Sequence, residues 1–434
     1  MKELKPVKVG LIGAGTIGKG VVDLLLHNGK LITARTGVSI SLEKVCDRDK
    51  NALDAVAASG VAVTSNADDI LNSKDIDIVV ELIGGINPAK DFILRAINNR
   101  KNVVTANKAV LSTFGKEVFL AAVTNNVSIG FEASVGGAIP IIRALKESFI
   151  SNNFEVIYGI LNGTTNFILS MMEEDHSFEK ALQIAQKKGI AESNPELDLS
   201  GKDSAHKLSI LALLGFGINI SPEKIYTEGI QDIMPQDITY AKRWGYNIKL
   251  LAIAKNDDSG LELRVSPALM PAKHLLANVK GENNAIFVKG DFLEESLLYG
   301  KGAGQRPTAT SVVGDIIDIA KRVAYIGREN IIPFDPIGNG GDKKLVNIDE
   351  LMLPYYLRFS VIDKPGVLAS VSAILAENDI SIASMSQEER KRGQSVTVIM
   401  ITHKAREGSL QKAIQNINSM DYVTSKTVVI RIED

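Results

Sequence analysis

A chain of 434 residues, 45% hydrophobic and 23% charged, has the makeup of a globular protein and the length for two or three domains. Its net charge of −2, with no block of like charges, argues against nucleic acid or a membrane surface as a partner. The single cysteine, Cys46, excludes an intrachain disulfide and suits a reducing, cytoplasmic setting; five scattered histidines give no metal-binding spacing, and no apolar run reaches the ~18 residues of a membrane span.

The N-terminal segment has too short an apolar run for a signal peptide. Instead, Val7 to Ile12 reads as a buried parallel strand, followed by Gly13, Gly15 and Gly18 in G-x-G-x-x-G spacing. Val21, Val22, Leu24 and Leu25 then repeat at helical spacing. Gly13 suits the tight turn, Gly15 the approach of a pyrophosphate, and Gly18 close helix–strand packing. Thr16 and Ile17 open the helix whose N–H groups and dipole would face the phosphates, so all five residues are cofactor-binding candidates.

A second run, SLEKVC, ends at Asp47, where a ribose-binding acid is expected, although the spacing exceeds the usual ~20 residues. A longer first helix and the stretch TARTGVS absorb the difference. Arg48 beside it could accept a 2′-phosphate, so NAD and NADP both stay open. Strands are expected at Ile76 to Gly85, Asn102 to Lys108 and Val127 to Ser134, with helical stretches between them. This alternation predicts an α/β, Rossmann-type doubly wound parallel sheet over 1–135, with ligands at the C-terminal strand ends.

The stretch EASVGGAIPIIRAL reads as a loop feeding a helix at Pro140. In LNGTTNFILSMM, Gly163 and Thr164 are expected to end a strand ahead of another helix. GIAESNPELDLSGKDSAHK then gathers acids in a broken stretch and runs into a helix marked by Leu208, Leu211, Ala212 and Gly215. Asp203 and Lys207 share one face of it; as an exposed ion pair they would contribute only ~0.3–0.5 kcal/mol. An α+β substrate and dimerisation domain is assigned to 136–304. A second glycine-rich turn, YGKGAGQRP, precedes a helix to about Arg322 that returns to the first domain, adding about 305–335 to it.

Residues 336–353 read as a linker. Residues 354–434 then give strand, helix, strand, strand, helix, strand, with the turn DKPGVL. This βαββαβ order and that turn resemble an ACT domain, a module that pairs sheets side by side and binds an amino acid at the shared edge. Such a module is expected to be separable, so that its removal leaves turnover intact.

The stretches GAGTIG, TANKA, EASVGGAIPII, NGTTNFIL, GIAESNPELDLSGKDSAHK and GKGAGQRPTATSVVGD follow one another in an order and spacing that resemble homoserine dehydrogenase over almost the whole chain. The acid–lysine segment is the most specific of these; Ile190 stands where many members carry Tyr. The resemblance implies hydride transfer between L-homoserine and a nicotinamide, giving L-aspartate 4-semialdehyde. It assigns the general acid/base role to Lys207, with Asp203 and Lys108 as further catalytic candidates, Lys108 also serving the nicotinamide as a cofactor-binding residue. For Lys207 to act near neutrality its pKa must fall roughly 3 units from ~10.4, about 4 kcal/mol. Lys108 is the neighbouring cation that would help, whereas a tight pair with Asp203 would oppose it, so the Asp203 carboxylate is expected to serve substrate or water.

The resemblance further implies Glu192 for the substrate ammonium, with Gly189, Asp198 and Thr164 in support, and Gly300 and Gly302 as a cofactor-side lid. Glu132, Val135, Gly137 and Ile139 match a site for Na+ built largely from backbone carbonyls. L-Threonine is the implied effector, with Asp363, Gly366 and Asn378 as its positions; the competing reading is a dimerisation module without ligand. A homodimer or homotetramer is expected. Because the chain opens on the nucleotide-binding strand, no fused aspartate kinase is expected. A non-catalytic sensor of NAD(P) and amino acid would not require Lys108, Glu192, Asp203 and Lys207 together, and a different ACT-bearing dehydrogenase would not require the acid–lysine segment.

Overall fold

In the structure, a computed structural model describing residues 5–327, 330, 332–336, 343–387 and 393–433, the short apolar runs of the N-terminal third become parallel strands. The order is β1 (Val7–Ile12), α1 (Thr16–Thr36), β2 (Ile40–Cys46), α2 (Lys50–Ala57), β3 (Ala62–Thr64) and α3 (Asp68–Leu71). It continues with β4 (Ile78–Glu81), α4 (Ala89–Asn98), β5 (Asn102–Thr105), α5 (Lys108–Asn125) and β6 (Ile129–Gly130). The strands lie in the order β3-β2-β1-β4-β5-β6, all parallel. The order reverses between β1 and β4, and a crevice opens there at the carboxyl ends of the strands.

The expected strands are longer than the observed ones. The run read through Gly85 stops at Glu81, and that read through Lys108 stops at Thr105. The Val127–Ser134 run keeps only two strand residues before a short 3-10 turn. The end of the first run, Leu82 to Gly84, turns out of the sheet and lines that crevice.

The chain then forms α6 (Ile141–Arg143), β7 (Phe154–Ile160), α7 (Gly163–Met172), α8 (Phe178–Lys187), α9 (Glu196–Leu199) and α10 (Lys202–Phe216). Gly163 and Thr164 therefore open a helix rather than end a strand, because Asn162 caps α7 by accepting from Thr165 N. Next come β8 (Tyr226–Thr227), α11 (Pro235–Arg243), β9 (Tyr246–Asp257), β10 (Gly260–Pro271), β11 (Asn283–Gly290), β12 (Glu294–Lys301) and α12 (Gln305–Ile326). The C-terminal elements are β13 (Met352–Leu353), β14 (Tyr355–Ile362), α13 (Val367–Glu377), β15 (Ile382–Ser386), β16 (Ser395–Thr402), β17 (Ala405–Arg406), α14 (Glu407–Asn418) and β18 (Val423–Ile432).

Two compact units result. The first comprises Met1–Phe154, Ala205–Ile225 and Asn284–Asp342, and the second Glu155–Ser204, Tyr226–Asn283 and Lys343–Asp434. In the first, Val9, Leu11, Val80 and Val104 of the sheet pack with Val21, Val22 and Leu25 of α1 and with Val312 and Ile316 of α12. Each such side chain contributes about 1.5–3 kcal/mol by leaving water. Helix α12 is thus part of the nucleotide-domain core, far as it lies in sequence.

In the second unit, β9 and β10 form a long antiparallel hairpin paired from Gly260↔Asp257 to Pro271↔Tyr246. The strand order is β7-β9-β10-β18-β14-β16-β15, with β8 beside β10. Strands β18, β14, β16 and β15 with α13 and α14 make the ACT fold, whose core joins Leu357, Phe359 and Val398 to Val371, Leu375, Leu410 and Ile414. This module is not set apart from what precedes it, as the sequence had implied. Its last strand runs parallel to β10, with Ala268↔Arg431 and Leu269↔Ile432 as partners. Of the expected linker, residues 337–342 lie outside the described residues; Lys344 O and Val346 N bond Leu261 and so tie the following stretch to β10.

Candidate active site

The glycine turn after β1 divides its three tasks in space. Gly13 has φ +108°, and a Cβ there would lie 2.6 Å from Leu82 C, so no other residue fits. A Cβ on Gly18 would overlap Gly13 O at 2.0 Å, whereas one on Gly15 would meet nothing within 4 Å. Gly15 therefore borders open space, as a pyrophosphate approach requires. The turn opens on a cleft of about 560 Å³ lined by Gly13, Gly15, Asp47, Arg48, Ile83 and Asn87, among others.

Asp47 follows β2 and faces this turn. Its Oδ2 accepts from Ala14 N at 2.5 Å, and its Oδ1 from Asp49 N at 2.9 Å. The acid thus fixes the glycine turn at the edge of this cleft; Arg48 beside it is exposed. These residues fit an NAD(P) dinucleotide.

Two residues near the strand ends escaped the sequence reading. Glu81, at the end of β4, is fully buried; it accepts from Thr105 Oγ1 at 2.7 Å and from Ile83 N at 2.9 Å. Burial pushes its carboxyl upward, against the opposing pull of the Thr105 hydroxyl. Asn107 caps α5 by accepting from Val110 N and donates to Gly85 O at 2.7 Å, holding the turn before Lys108. Lys108 is the first, half-buried residue of that helix.

In the second unit, the residues of the acid-rich segment are organised by Asn162. Its Nδ2 donates to Asp198 Oδ1 at 2.7 Å and to Asp203 Oδ2 at 2.9 Å. Thr164 Oγ1 donates to Ile190 O at 3.1 Å and so ties α7 to the turn at Gly189, whose φ is +70°. Glu192 is exposed, Asp198 half-buried on α9, and Asp203 buried in the first turn of α10. Asn162 was not among the expected site residues, although it opens the quoted NGTTNFIL stretch.

Lys207, four residues beyond Asp203 on α10, is buried in the first unit. His206 Nδ1 lies 2.7 Å from Ser112 Oγ, an interior contact that accounts for this histidine structurally.

Three of the four carbonyls of the expected Na+ site already serve the fold. Glu132 O accepts from Val135 N at 3.5 Å, Gly137 O from Ser311 Oγ at 2.7 Å, and Ile139 O from Ile141 N at 2.8 Å. Each carbonyl oxygen keeps a second lone pair that could ligate a hard cation. The Glu132 carboxylate is engaged by Ile142 N and Arg143 N, both at 2.8 Å. Burial, then the charge of Asp315, pushes it up to about 7; burial pushes Asp315 up to about 6. Among the described residues no group of three or more His, Cys, Asp or Glu could hold a metal. Gly300 lies within β12, and Gly302 just beyond it, where a Cβ would run into the Asn284 side chain at 2.0 Å.

Residues 140–317 match the family model for homoserine dehydrogenase, 13–132 that for the homoserine dehydrogenase NAD-binding domain, and 355–421 that for the ACT domain. The homoserine dehydrogenase of Pseudomonas aeruginosa is 41% identical over 435 residues, covering 99% of both chains, and that of Neisseria gonorrhoeae is 40% identical, again covering 99% of both. A crystal structure of a homoserine dehydrogenase from Thiobacillus denitrificans superposes with a TM-score of 0.93 at 42% identity over the full length of both chains. A hyperthermophilic archaeal homoserine dehydrogenase in complex with NADPH gives a TM-score of 0.62 at 25% identity, covering 73% of this chain and 98% of its own.

Proposed function

The chain belongs to the homoserine dehydrogenases, NAD(P)-dependent oxidoreductases, and from that premise we propose that Lys207 carries the proton and the Asn162-held acids carry the substrate. A bound nicotinamide supplies hydride acceptance and donation. Lys207 takes the hydroxyl proton of L-homoserine in the oxidative direction and returns it to the carbonyl oxygen of L-aspartate 4-semialdehyde in the other. Lys108 is the cation that keeps Lys207 able to lose its proton. Glu192 receives the substrate ammonium, Asp198 and Asp203 add negative charge there, and Gly189 and Thr164 shape the turn.

The observation that carries this reading is the double hydrogen bond from Asn162. An amide donor carries no charge of its own, so it orients each carboxylate without adding a cation to the site. On the cofactor side, Gly13, Gly15, Thr16, Ile17 and Gly18 receive the pyrophosphate. Asp47 suits the ribose of NAD, and Arg48 the 2′-phosphate of NADP. Gly300 and Gly302 act on the same side, and the carbonyls of Glu132, Val135, Gly137 and Ile139 hold a structural Na+.

The ACT module is read as a threonine site that gives feedback control within threonine, methionine and isoleucine biosynthesis. Asp363 Oδ2 is buried and accepts no hydrogen bond among the described residues, as a position awaiting an ammonium would. Gly366 adopts φ +93° at the start of α13, with open space where a side chain would stand. Asn378 closes the same helix, donating to Ile374 O at 2.9 Å. A cytoplasmic homodimer or homotetramer is part of this reading; among the described residues no helix is long and apolar enough to cross a membrane.

The test is reduction of NAD and of NADP by the full chain with L-homoserine, with and without L-threonine. Homoserine-dependent reduction that threonine lowers is expected. Turnover indifferent to threonine would remove the regulatory part alone, and no turnover with either cofactor would sink the whole.

A further inference from the structure

Within the second unit, a chain of contacts leads from the last strand of the ACT module to the acids that Asn162 holds. Arg431, fully buried on β18, donates to both oxygens of Glu407 at 2.8 and 2.7 Å, closing the ACT fold on one side. On the other side it donates to Glu228 Oε2 at 2.7 Å and to Tyr226 OH at 3.0 Å. The Tyr226 hydroxyl itself donates to Glu228 Oε1. Residues 226–230 are therefore a strap pinned by one guanidinium.

The opposite side of this strap bears on the turn between α9 and α10. Ile230 N donates to Leu199 O at 3.0 Å. Gly229 is seated so closely that a Cβ would stand 2.2 Å from Leu199 O and 2.8 Å from Ser200 Cα. Gly201, at φ +80°, faces Glu228 O, Thr227 Cγ2 and Val265 Cγ1, each 3.1 Å from where its Cβ would be. Asp198 lies just before this turn and Asp203 just after it.

We propose that Glu228 and Arg431 are positioning residues for the reaction: the last ACT strand clamps the 226–230 strap, and the strap sets the turn that aims Asp198 and Asp203. The proposal rests on the assignment of those two acids to the substrate ammonium. Neither Glu228 nor Arg431 touches substrate in it. The bidentate, buried pair with Glu407 fixes the Arg431 guanidinium, so its remaining N–H groups hold Glu228 and Tyr226 of the strap in one geometry.

Three full-length variants test it: Glu228→Gln, Gly229→Ala and Asp203→Asn. For each we would measure kcat and the KM for homoserine, the Kd for NADPH, and the thermal midpoint. Glu228→Gln should raise the homoserine KM about five- to tenfold and leave the NADPH Kd within about twofold, a split that mere loss of stability does not produce. Gly229→Ala keeps every charge but pushes on Leu199 and Ser200, and should raise the same KM; it decides the matter if Glu228→Gln does not fold. Combining Glu228→Gln with Asp203→Asn should raise the KM by less than the product of the two single effects, because the strap acts in part through that acid. Unchanged homoserine KM in Glu228→Gln and Gly229→Ala, with a raised value in Asp203→Asn, would overturn the strap and spare the acid assignment. An unchanged value in Asp203→Asn would overturn both.

Discussion

Asn162 and Asp203 are joined by a hydrogen bond of 2.9 Å between positions 41 residues apart, and the same amide nitrogen holds Asp198. The other end of that amide caps α7, through Thr165 N at 2.9 Å. One side chain therefore has a folding task and a site task, and two substitutions separate them. Asn162→Ala removes both and should cost about 1 kcal/mol through the lost cap. Asn162→Asp keeps a good capping oxygen but sets a third carboxylate against two. It should keep more of the thermal midpoint than Ala does and yet raise the homoserine KM further. A lower KM in Asp than in Ala would show that the amide does not organise the acids.

Lys207 and Glu192 should fail in different kinetic constants. Lys207→Ala removes the proton carrier and should lower kcat by about 10²–10⁴, with NADPH Kd unchanged by fluorescence titration. Glu192→Gln removes an ammonium partner that stands exposed, and should chiefly raise the homoserine KM. Wild-type kcat in the first variant, or wild-type KM in the second, would strip that residue of its role.

How much of this was legible in the sequence depends on the range of the physics involved. Gly13, Gly15 and Gly18 were readable because each task is local: a left-handed φ, an open approach and a close packing all fall within six residues. Asp203 and Lys207 were readable as helical neighbours for the same reason. Asn162 was not, since an amide announces nothing about partners 36 and 41 residues away. Glu81 was hidden inside an apolar run taken to continue to Gly85. Arg264, Arg431 and Glu433 drew no reading from the sequence, and in the fold all three are fully buried. Only the pairing of β10 with β18 puts these charges together, and pairing of distant strands leaves no local pattern.

The buried Glu132 carboxyl gives a pH signature. Its folded pKa, about 7, lies above the unfolded value near 4.5, so the folded state holds a proton that the unfolded state releases. Between those two values the unfolded chain binds fewer protons, and stability must fall as pH rises. The contribution is full below about pH 4.5 and lost through about pH 7, on the order of 3 kcal/mol over the span. Asp315, pushed up to about 6, adds a fall of the same sign from near pH 4 to 6. Urea midpoints across pH 5–8 should decline for the wild type. In Glu132→Gln the decline above pH 6 should flatten, although one of the two backbone donors at Ile142 and Arg143 loses its acceptor. An equal slope in both proteins would place the titration elsewhere.

Removal of residues 354–434 should do more than silence an effector response. Glu433 pairs with Arg264 and, at 2.5 Å, with Lys255. Arg264 is fully buried on β10, and truncation would take one of its two carboxylates, leaving Glu262 at 2.6 Å and the Ser266 hydroxyl at 2.8 Å. Removing one partner of a buried ion pair costs about 3–5 kcal/mol, a large share of a typical 5–15 kcal/mol of stability. The deletion also uncovers the edge of β10 that Ala268 and Leu269 share with β18, an open invitation to aggregate. The truncated chain should therefore be poorly soluble, with the homoserine KM raised or turnover lost. Asp363→Ala in the full chain should keep turnover and lose the threonine effect. A soluble truncated enzyme with wild-type melting and homoserine KM would show that β18 is an appendage and that the β10 charges are satisfied without it.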